Sequence, residues 1–293
     1  MGGLEIIQDY FEDNTYRRSF NSLAKATFGL DFEEWYKKKY FKGKYISYSY
    51  VVDDEVIANV SVNKMHVVIK GEVKKAIQLG TVMTREDCRG NGLAKKLMKH
   101  VLQTYENQCD FIYLFANNTV LEFYPKFGFK KAIEANYTLN THEINKKEAV
   151  IIELQAGATF TNTLINQLIE KRVPISKTWG IVEDNWPLEV YCKDGFKDNL
   201  HYIKEDNLIV IAEREEGVLH LYDIISANPF KLDEILEKFI TEEDELIQFH
   251  FVPELEDYKV TCTYIERADD TLFVKGIELD EIGEVLFPMT SHT

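Results

Sequence analysis

Hydrophobic positions along the chain change their period several times, and each change marks an element. From Thr15 to Phe28, apolar side chains recur at Tyr16, Phe20, Leu23, Ala24 and Phe28, close to the helical repeat. Asp31 then reads as the N-cap of a short helix, Phe32–Tyr40, whose first turn carries Glu33 and Glu34, where carboxylates suit the helix dipole. The period next shortens to that of strands. Tyr45–Val52 and Glu55–Asn63 flank an Asp53-Asp54 turn, and Met65–Ile69 and Lys74–Met83 flank Lys70-Gly71. Helical spacing returns over Gly92–Tyr105, with Leu93, Leu97, Val101 and Leu102 on one face. Phe111–Phe115 is a short buried strand, Asn118–Phe127 a short helix, and Phe129–Leu139 and Ala149–Leu154 are closing strands.

The remainder starts with a helix, Asn162–Lys171, and passes through irregular aromatic sequence, Trp179–Tyr202. Strands Leu208–Glu213 and Gly217–Ile225, a helix Lys231–Ile240 and a strand Leu246–Val252 follow, with strand-like pieces at Tyr258–Ile265 and Thr271–Lys275. From Leu208 onward this order repeats the later part of the first half. The expected class is α/β with a mixed, α+β-like sheet. Two domains are expected, 1–157 and 158–293, each a central twisted mixed sheet flanked by helices. A length of 293 residues fits that division.

Composition narrows the function. Apolar residues make up 45% and aromatics 13%, enough for two packed cores. A net charge of −15 repels phosphate backbones, so nucleic acid is not an expected partner, whereas a cationic substrate is compatible. No run approaches the roughly 18 apolar residues of a membrane helix. Met1-Gly2-Gly3-Leu4-Glu5-Ile6 lacks the basic and apolar regions of a signal peptide, and Ile6 stands where a myristoylation signal needs Ser or Thr. A cytoplasmic protein without a membrane partner is expected. Cysteines 88, 109, 192 and 262 form no CxxC pair, and no His/Cys cluster has zinc spacing, so no metal site is expected. The histidines, His66 and His100 among them, show no metal spacing and no Ser/Asp partnering, and surface or structural roles are expected for them.

Candidate chemistry begins after the apolar strand ending Val82-Met83-Thr84. A charged connection leads into Arg89-Gly90-Asn91-Gly92-Leu93-Ala94, and a long helix follows at once. Gly90 and Gly92 allow left-handed backbone and close approach of a ligand. The first N–H groups of the helix lack intrahelical partners and, with the helix dipole, form an anion site suited to pyrophosphate. Arg89 adds a permanent charge. Neither GxGxxG nor GK[ST] is present, which excludes a dinucleotide fingerprint and a Walker loop.

The spacing Arg-x-x-Gly-x-Ala after a strand resembles motif A of the GNAT superfamily of N-acetyltransferases. The run Asn117-Asn118-Thr119-Val120-Leu121-Glu122-Phe123-Tyr124-Pro125-Lys126-Phe127-Gly128-Phe129 is similar to that family's N-x-x-A-x-x-x-Y-x-K-x-G-F pattern, with Val120 at the Ala position. The resemblance covers roughly residues 1–155. It implies acetyl-CoA as co-substrate, held by Val82, Met83, Thr84, Arg89, Gly90, Asn91, Gly92, Leu93, Ala94, Asn117 and Tyr124. It implies a thioester lying in a gap beside the strand before the loop, with the backbone N–H of Met83 polarising the carbonyl. Tyr124 is then the candidate general acid toward the leaving thiolate. Pro125 disfavours helical backbone at the residue before it, which leaves the aim of the Tyr124 hydroxyl open. Lys95 and Lys96 meet phosphates or are ordinary exposed helix residues.

Acyl transfer to an amine also needs a proton acceptor. The strand Ala76–Thr84 holds no carboxylate, and Gln78 and Thr81 only orient a water. Glu33, Glu34 and a C-terminal carboxylate at Thr293 remain, with Trp35 beside the first two in a candidate acceptor pocket. Thr293 enters because the tandem arrangement resembles the enhanced-intracellular-survival type of aminoglycoside acetyltransferase, in which the chain terminus reaches back into the first active site. The third, sterol-carrier-like domain of that group is not expected in these 293 residues, so the resemblance does not carry over the substrate. After Ile225 the connection Ser226-Ala227-Asn228-Pro229-Phe230 carries no glycines, so the second half is expected to be a degenerate GNAT-like domain without a cofactor site. Trp179, Trp186 and Tyr191 are candidates for core, interface or pocket wall. The expected function is transfer of acetyl from acetyl-CoA to a primary amine by direct attack in a ternary complex. The acceptor is a small cationic amine, an aminoglycoside-like molecule, or a peptide or protein amine. The competing reading is a non-catalytic acyl-CoA sensor. Oligomeric state is not legible.

Overall fold

The computed structural model describes residues 4–41, 43–183, 185–267 and 269–293; Met1–Gly3, part of the N-terminal stretch considered above, lie outside them. Asp13 opens helix α1 (Asn14–Phe28): its side chain accepts from the N–H groups of Thr15 and Tyr16, and Gly29 ends the helix in left-handed backbone. The N-cap of the next helix is Phe32, not the expected Asp31, which stands one residue earlier and accepts from Glu33 N at 3.0 Å; α2 covers only Glu33–Lys37 and ends before Lys39, which takes a positive φ of 57°.

Strands β1 (Glu5–Gln8), β2 (Tyr45–Val52), β3 (Glu55–Ile69) and β4 (Glu72–Thr84) form an antiparallel run. β3 is one strand of 15 residues rather than the two expected, because exposed Lys64 stays in register opposite Ile77 instead of breaking the ladder. Helix α3 (Leu93–Tyr105) crosses back so that β5 (Phe111–Ala116) lies parallel to β4. The expected closing strand 129–139 divides into β6 (Lys130–Lys131) and β7 (Glu134–Asn140), which join different sheets. β8 (Ile151–Glu153) and α4 (Thr159–Glu170) follow. The stretch expected to be irregular contains β9 (Trp179–Val182), α5 (Asn185–Val190), a π-helical turn at Tyr191–Gly195, and β10 (Leu200–Ile203). The chain ends with β11 (Leu208–Glu215), β12 (Val218–Ser226), α6 (Leu232–Phe239), β13 (Leu246–Phe249), β14 (Thr261–Ile265), β15 (Thr271–Lys275), α7 (Leu279–Ile282) and an apolar tail.

The first sheet runs β1-β2-β3-β4-β5-β15-β6, with β9 paired to the far end of β3; the second runs β14-β7-β13-β12-β11-β10-β8. Both are mixed, each with one parallel pair, β4–β5 and β12–β13, joined by a crossover helix. The halves exchange strands: β15 fills the place beside β5, and β7 fills the place beside β13. An unpaired edge there would expose a row of backbone donors and acceptors, so each half completes the other's sheet. A cut at 157 therefore separates neither the sheets nor the core. One apolar cluster joins Met65, Val67 and Tyr113 of the first sheet to Val210, Leu219 and Phe249 of the second. Phe287 seals it, stacking on Tyr113 at 4.4 Å between centroids and meeting Trp179 edge-on at 5.1 Å. Burial of such a ring contributes roughly 1.5–3 kcal/mol. No helix among the described residues is long and apolar enough to cross a membrane.

Candidate active site

The glycine loop lies between a 3-10 turn, Glu86–Cys88, and α3. Gly90 and Gly92 have φ of 79° and 71°, and nothing lies within 4 Å of where a Cβ would stand on either. Backbone conformation thus demands glycine, and the space in front is open for a ligand. Gly92 is the N-cap of α3 and makes no side-chain cap, so the amides at the start of the helix are left to a ligand. Arg89 is steered by its own loop, Nε donating to Thr84 O at 3.2 Å. Asn91 folds back, its Nδ2 donating to Cys88 O at 3.1 Å; it braces the loop rather than facing the cavity.

Above the loop, β4 and β5 part company. Their parallel pairing covers Ala76↔Phe111 to Gln78↔Tyr113 and stops there. The cause is a bulge in β4: Ser61 pairs with Gly80 and Asn59 with Met83, so Thr81 and Val82 together oppose one residue of β3. Thr81 takes a positive φ of 43°, held by Asn59 Nδ2 donating to its carbonyl at 2.8 Å and by a hydroxyl contact with Tyr45. The bulge re-aims the amides. Arg85 N donates to Ile57 O on β3, and strand alternation turns the N–H of Met83, opposite Asn59, to that same side. Val82, the other residue of this bulged stretch, lies beside Met83, and both border the cavity.

A cavity of about 1330 Å³ joins this gap to the glycine loop. Tyr124 lines it from a 3-10 turn, Tyr124–Phe127. The expected single helix 118–127 is two short turns, because Pro125 interrupts it. Tyr124 is 5% exposed, and burial pushes its phenol up to about 12. Asn117 lines the same end, its Oδ1 capping its own turn through Thr119 N at 3.0 Å. Val82, Met83, Thr84, Leu93, Ala94 and Lys95 also border the cavity.

The tail enters from the other side. Thr290 Oγ1 donates to Asp223, itself buried and paired with Arg172 at 2.6 Å. Gln78, with its amide oriented to satisfy both partners, donates to Ser291 O and Thr293 Oγ1 and accepts from Thr293 N. Thr293 thus lies against Gly80 and Gln78 at the cavity, which Trp35 borders too. Glu33 and Glu34 do not. Glu33 accepts from Arg17 Nε at 3.0 Å and Asn21 Nδ2 at 3.3 Å, tying α1 to α2, and Glu34 pairs with Lys37 on the surface. Trp186 and Tyr191 line the wall, while Trp179 is in the core.

Sequence reasoning missed three acceptor-side residues. His292 stacks on Phe115 at 3.7 Å between centroids and sets Nδ1 3.3 Å from Asp270 Oδ2. Its Nε2 is buried and has no hydrogen-bond partner among the described residues. Asp194 accepts from Trp35 Nε1 at 3.2 Å. These partners lie 22 and 159 residues apart in sequence, beyond any local motif. The α6 terminus in the second sheet offers no counterpart to the cradle. Asp233 occupies its first turn, accepting from Glu256 N and Asp257 N, and Ser226 closes the preceding turn on Asn228.

A mixed sheet that opens between two parallel strands, above a glycine-led helix terminus, is the GNAT fold. Residues 8–132 match the family model of the acetyltransferase (GNAT) domain, so this part of the chain is a GNAT acetyltransferase domain, a class that draws on acyl-CoA. No curated protein matches the sequence. Among solved structures, a conserved Enterococcus faecalis V583 protein of unknown function is similar at 15% identity and a TM-score of 0.64, over 96% of this chain and 74% of that one. Eis1 from Mycobacterium abscessus is similar at 15% identity and a TM-score of 0.57, over 92% of this chain and 72% of that one. A GCN5-related N-acetyltransferase from Kribbella flavida has 13% identity and a TM-score of 0.55, over 92% and 71%. At such identities the likeness is one of fold, and it extends over both sheets.

Proposed function

We propose that this protein moves an acetyl group from acetyl-coenzyme A to the primary amine of a small cationic molecule, an aminoglycoside-like acceptor or a peptide, by direct attack in a ternary complex. The observation that carries this is the meeting of the glycine cradle, the β4–β5 gap and Tyr124 in one cavity. The donor supplies a thioester carbonyl. Arg89 and the amides from Gly90 to Ala94 hold its pyrophosphate, and Asn117 steadies its arm. The Val82 N–H polarises the carbonyl, an effect of a few kcal/mol for a preorganised donor. The attacking amine loses its proton to His292, whose Nδ1 is held by Asp270. As the C–N bond forms and the C–S bond breaks, Tyr124 protonates the departing sulfur and regains its proton from solvent. Four free thiols suit a reducing compartment, and we place the reaction in the cytoplasm.

The test is thiol release from acetyl-CoA with panels of aminoglycosides, polyamines, amino acids, arylalkylamines and peptides, alongside mass analysis of the amine. Thiol appearing in step with an N-acetylated product supports the proposal. Donor binding without thiol release on any amine overturns it.

A further inference from the structure

The cavity has two chemically distinct ends. Its lining cations, Arg89, Lys95 and Lys126, all belong to the phosphate loop or the Tyr124 turn. The opposite end is built from the α1–α2 connection, from α5 with its π-helical turn, and from the tail. There the carboxylates of Asp194 and Asp270 are left 42% and 40% exposed; Thr27, Tyr191, His292 and Thr293 add a few polar groups, and Phe28, Leu30, Phe32, Trp35, Trp186 and Val190 make an apolar stretch of wall. Phe28 and Leu30 border the cavity at 40% and 41% exposure, on either side of the left-handed Gly29. Large apolar side chains left wet at a cavity mouth gain when an apolar surface covers them.

Resting on the acetyl transfer proposed above, we infer that the acceptor is a primary amine carried on an apolar, ring-bearing body, of the arylalkylamine class. Half-buried Trp35, backed by the buried Trp186 at 6.4 Å between centroids, offers aromatic surface to such a body. At the edge of the Trp35 indole stands Asp194, whose second oxygen already faces a cation, Lys38 Nζ, at 3.5 Å. A carboxylate beside an aromatic face is a recognition element for an ammonium on an apolar stem. A polyhydroxylated acceptor would need hydrogen-bonding partners along the wall formed by Phe28, Leu30, Phe32, Trp186 and Val190, and side chains of that kind supply almost none; burying its hydroxyls there is costly. A polyamine has cations to pair but no surface to lay against the Trp35 indole.

The discriminating experiment measures kcat/KM for 2-phenylethylamine and tryptamine against spermidine and kanamycin, at fixed saturating acetyl-CoA. The arylalkylamines are expected to exceed both others by at least ~10-fold, the scale on which an apolar pocket discriminates. Leu30→Ser, at an exposed position, and Trp35→Ala should each raise KM for phenylethylamine several-fold while leaving KM for acetyl-CoA unchanged. Preference for spermidine or kanamycin would sink the inference while leaving acetyl transfer intact, as would unchanged phenylethylamine kinetics in both variants. Failure of every amine, with the donor still bound, would instead remove the transfer reading, and this inference with it.

Discussion

Thr293 lies directly against Gly80: a Cβ built on Gly80 would stand 2.8 Å from the main-chain oxygen of Thr293. Gly80 has ordinary strand backbone, so what it provides is room for the tail and not conformational freedom. Gly80→Ala should therefore fold and displace the tail from the gap. We expect kcat/KM for the amine to fall by about 10-fold or more, on the scale that misplacement near reacting atoms costs. Faster hydrogen exchange over 290–293 should accompany it. Full activity in this variant would mean that the tail's seat is dispensable.

Gly92 raises the opposite case. Its φ of 71° is the reason for glycine, and nothing stands in front of it. Gly92→Ala should cost roughly 1–2 kcal/mol of strain and push a methyl group toward the bound phosphates. Calorimetric titration should show weakened acetyl-CoA affinity. Unchanged affinity would move the pyrophosphate away from this helix terminus.

Tyr124→Phe removes one hydroxyl from a buried ring. If Tyr124 protonates the sulfur, kcat should drop by about 10²–10⁴ with little change in KM for either substrate. Because burial holds the phenol up to about 12, it stays protonated through the neutral and mildly alkaline range, and no alkaline limb of kcat below about pH 10 should be assignable to it. Retention of wild-type kcat would dismiss it as the acid.

The second sheet carries a pH liability of its own. His250 stacks on Tyr222 at 4.3 Å, and its Nε2 faces His220 Nδ1 at 3.1 Å. Burial first, then the nearby charges of His220 and Arg267, bring its pKa down to about 4. The unfolded chain then binds the proton more readily than the folded one, so this contribution to stability is full above the ordinary histidine value and is lost as pH falls through about 4. The melting temperature should decline between pH 7 and pH 4, and His250→Gln should flatten that slope. An equal slope in the variant would assign it elsewhere.

How much of this was legible depended on how local the signal was. The glycines at 90 and 92 and the spacing to Tyr124 are short-range requirements of backbone and helix, and they stand in the sequence as such. The length of α2 was not legible, because a positive φ at Lys39 ends it. Nor was the fate of Glu33, whose carboxylate is taken by Arg17 and Asn21 across a helix pair. Histidine 292 looked ordinary because its partners, Phe115 and Asp270, reach it only through the fold.

By itself the sequence determined a glycine-led helix terminus after an apolar strand, because glycine conformation and unpaired helix amides are properties of a few adjacent residues. Only the tertiary structure decided where β4 bulges beside the gap, because the bulge depends on the register between β3 and β4. It also decided that the two halves form one body, since β7 and β15 each complete the other half's sheet. Strand exchange and tail insertion rest on pairings between residues more than a hundred positions apart, and such pairings are selected by edge satisfaction and shared burial, which no local pattern records.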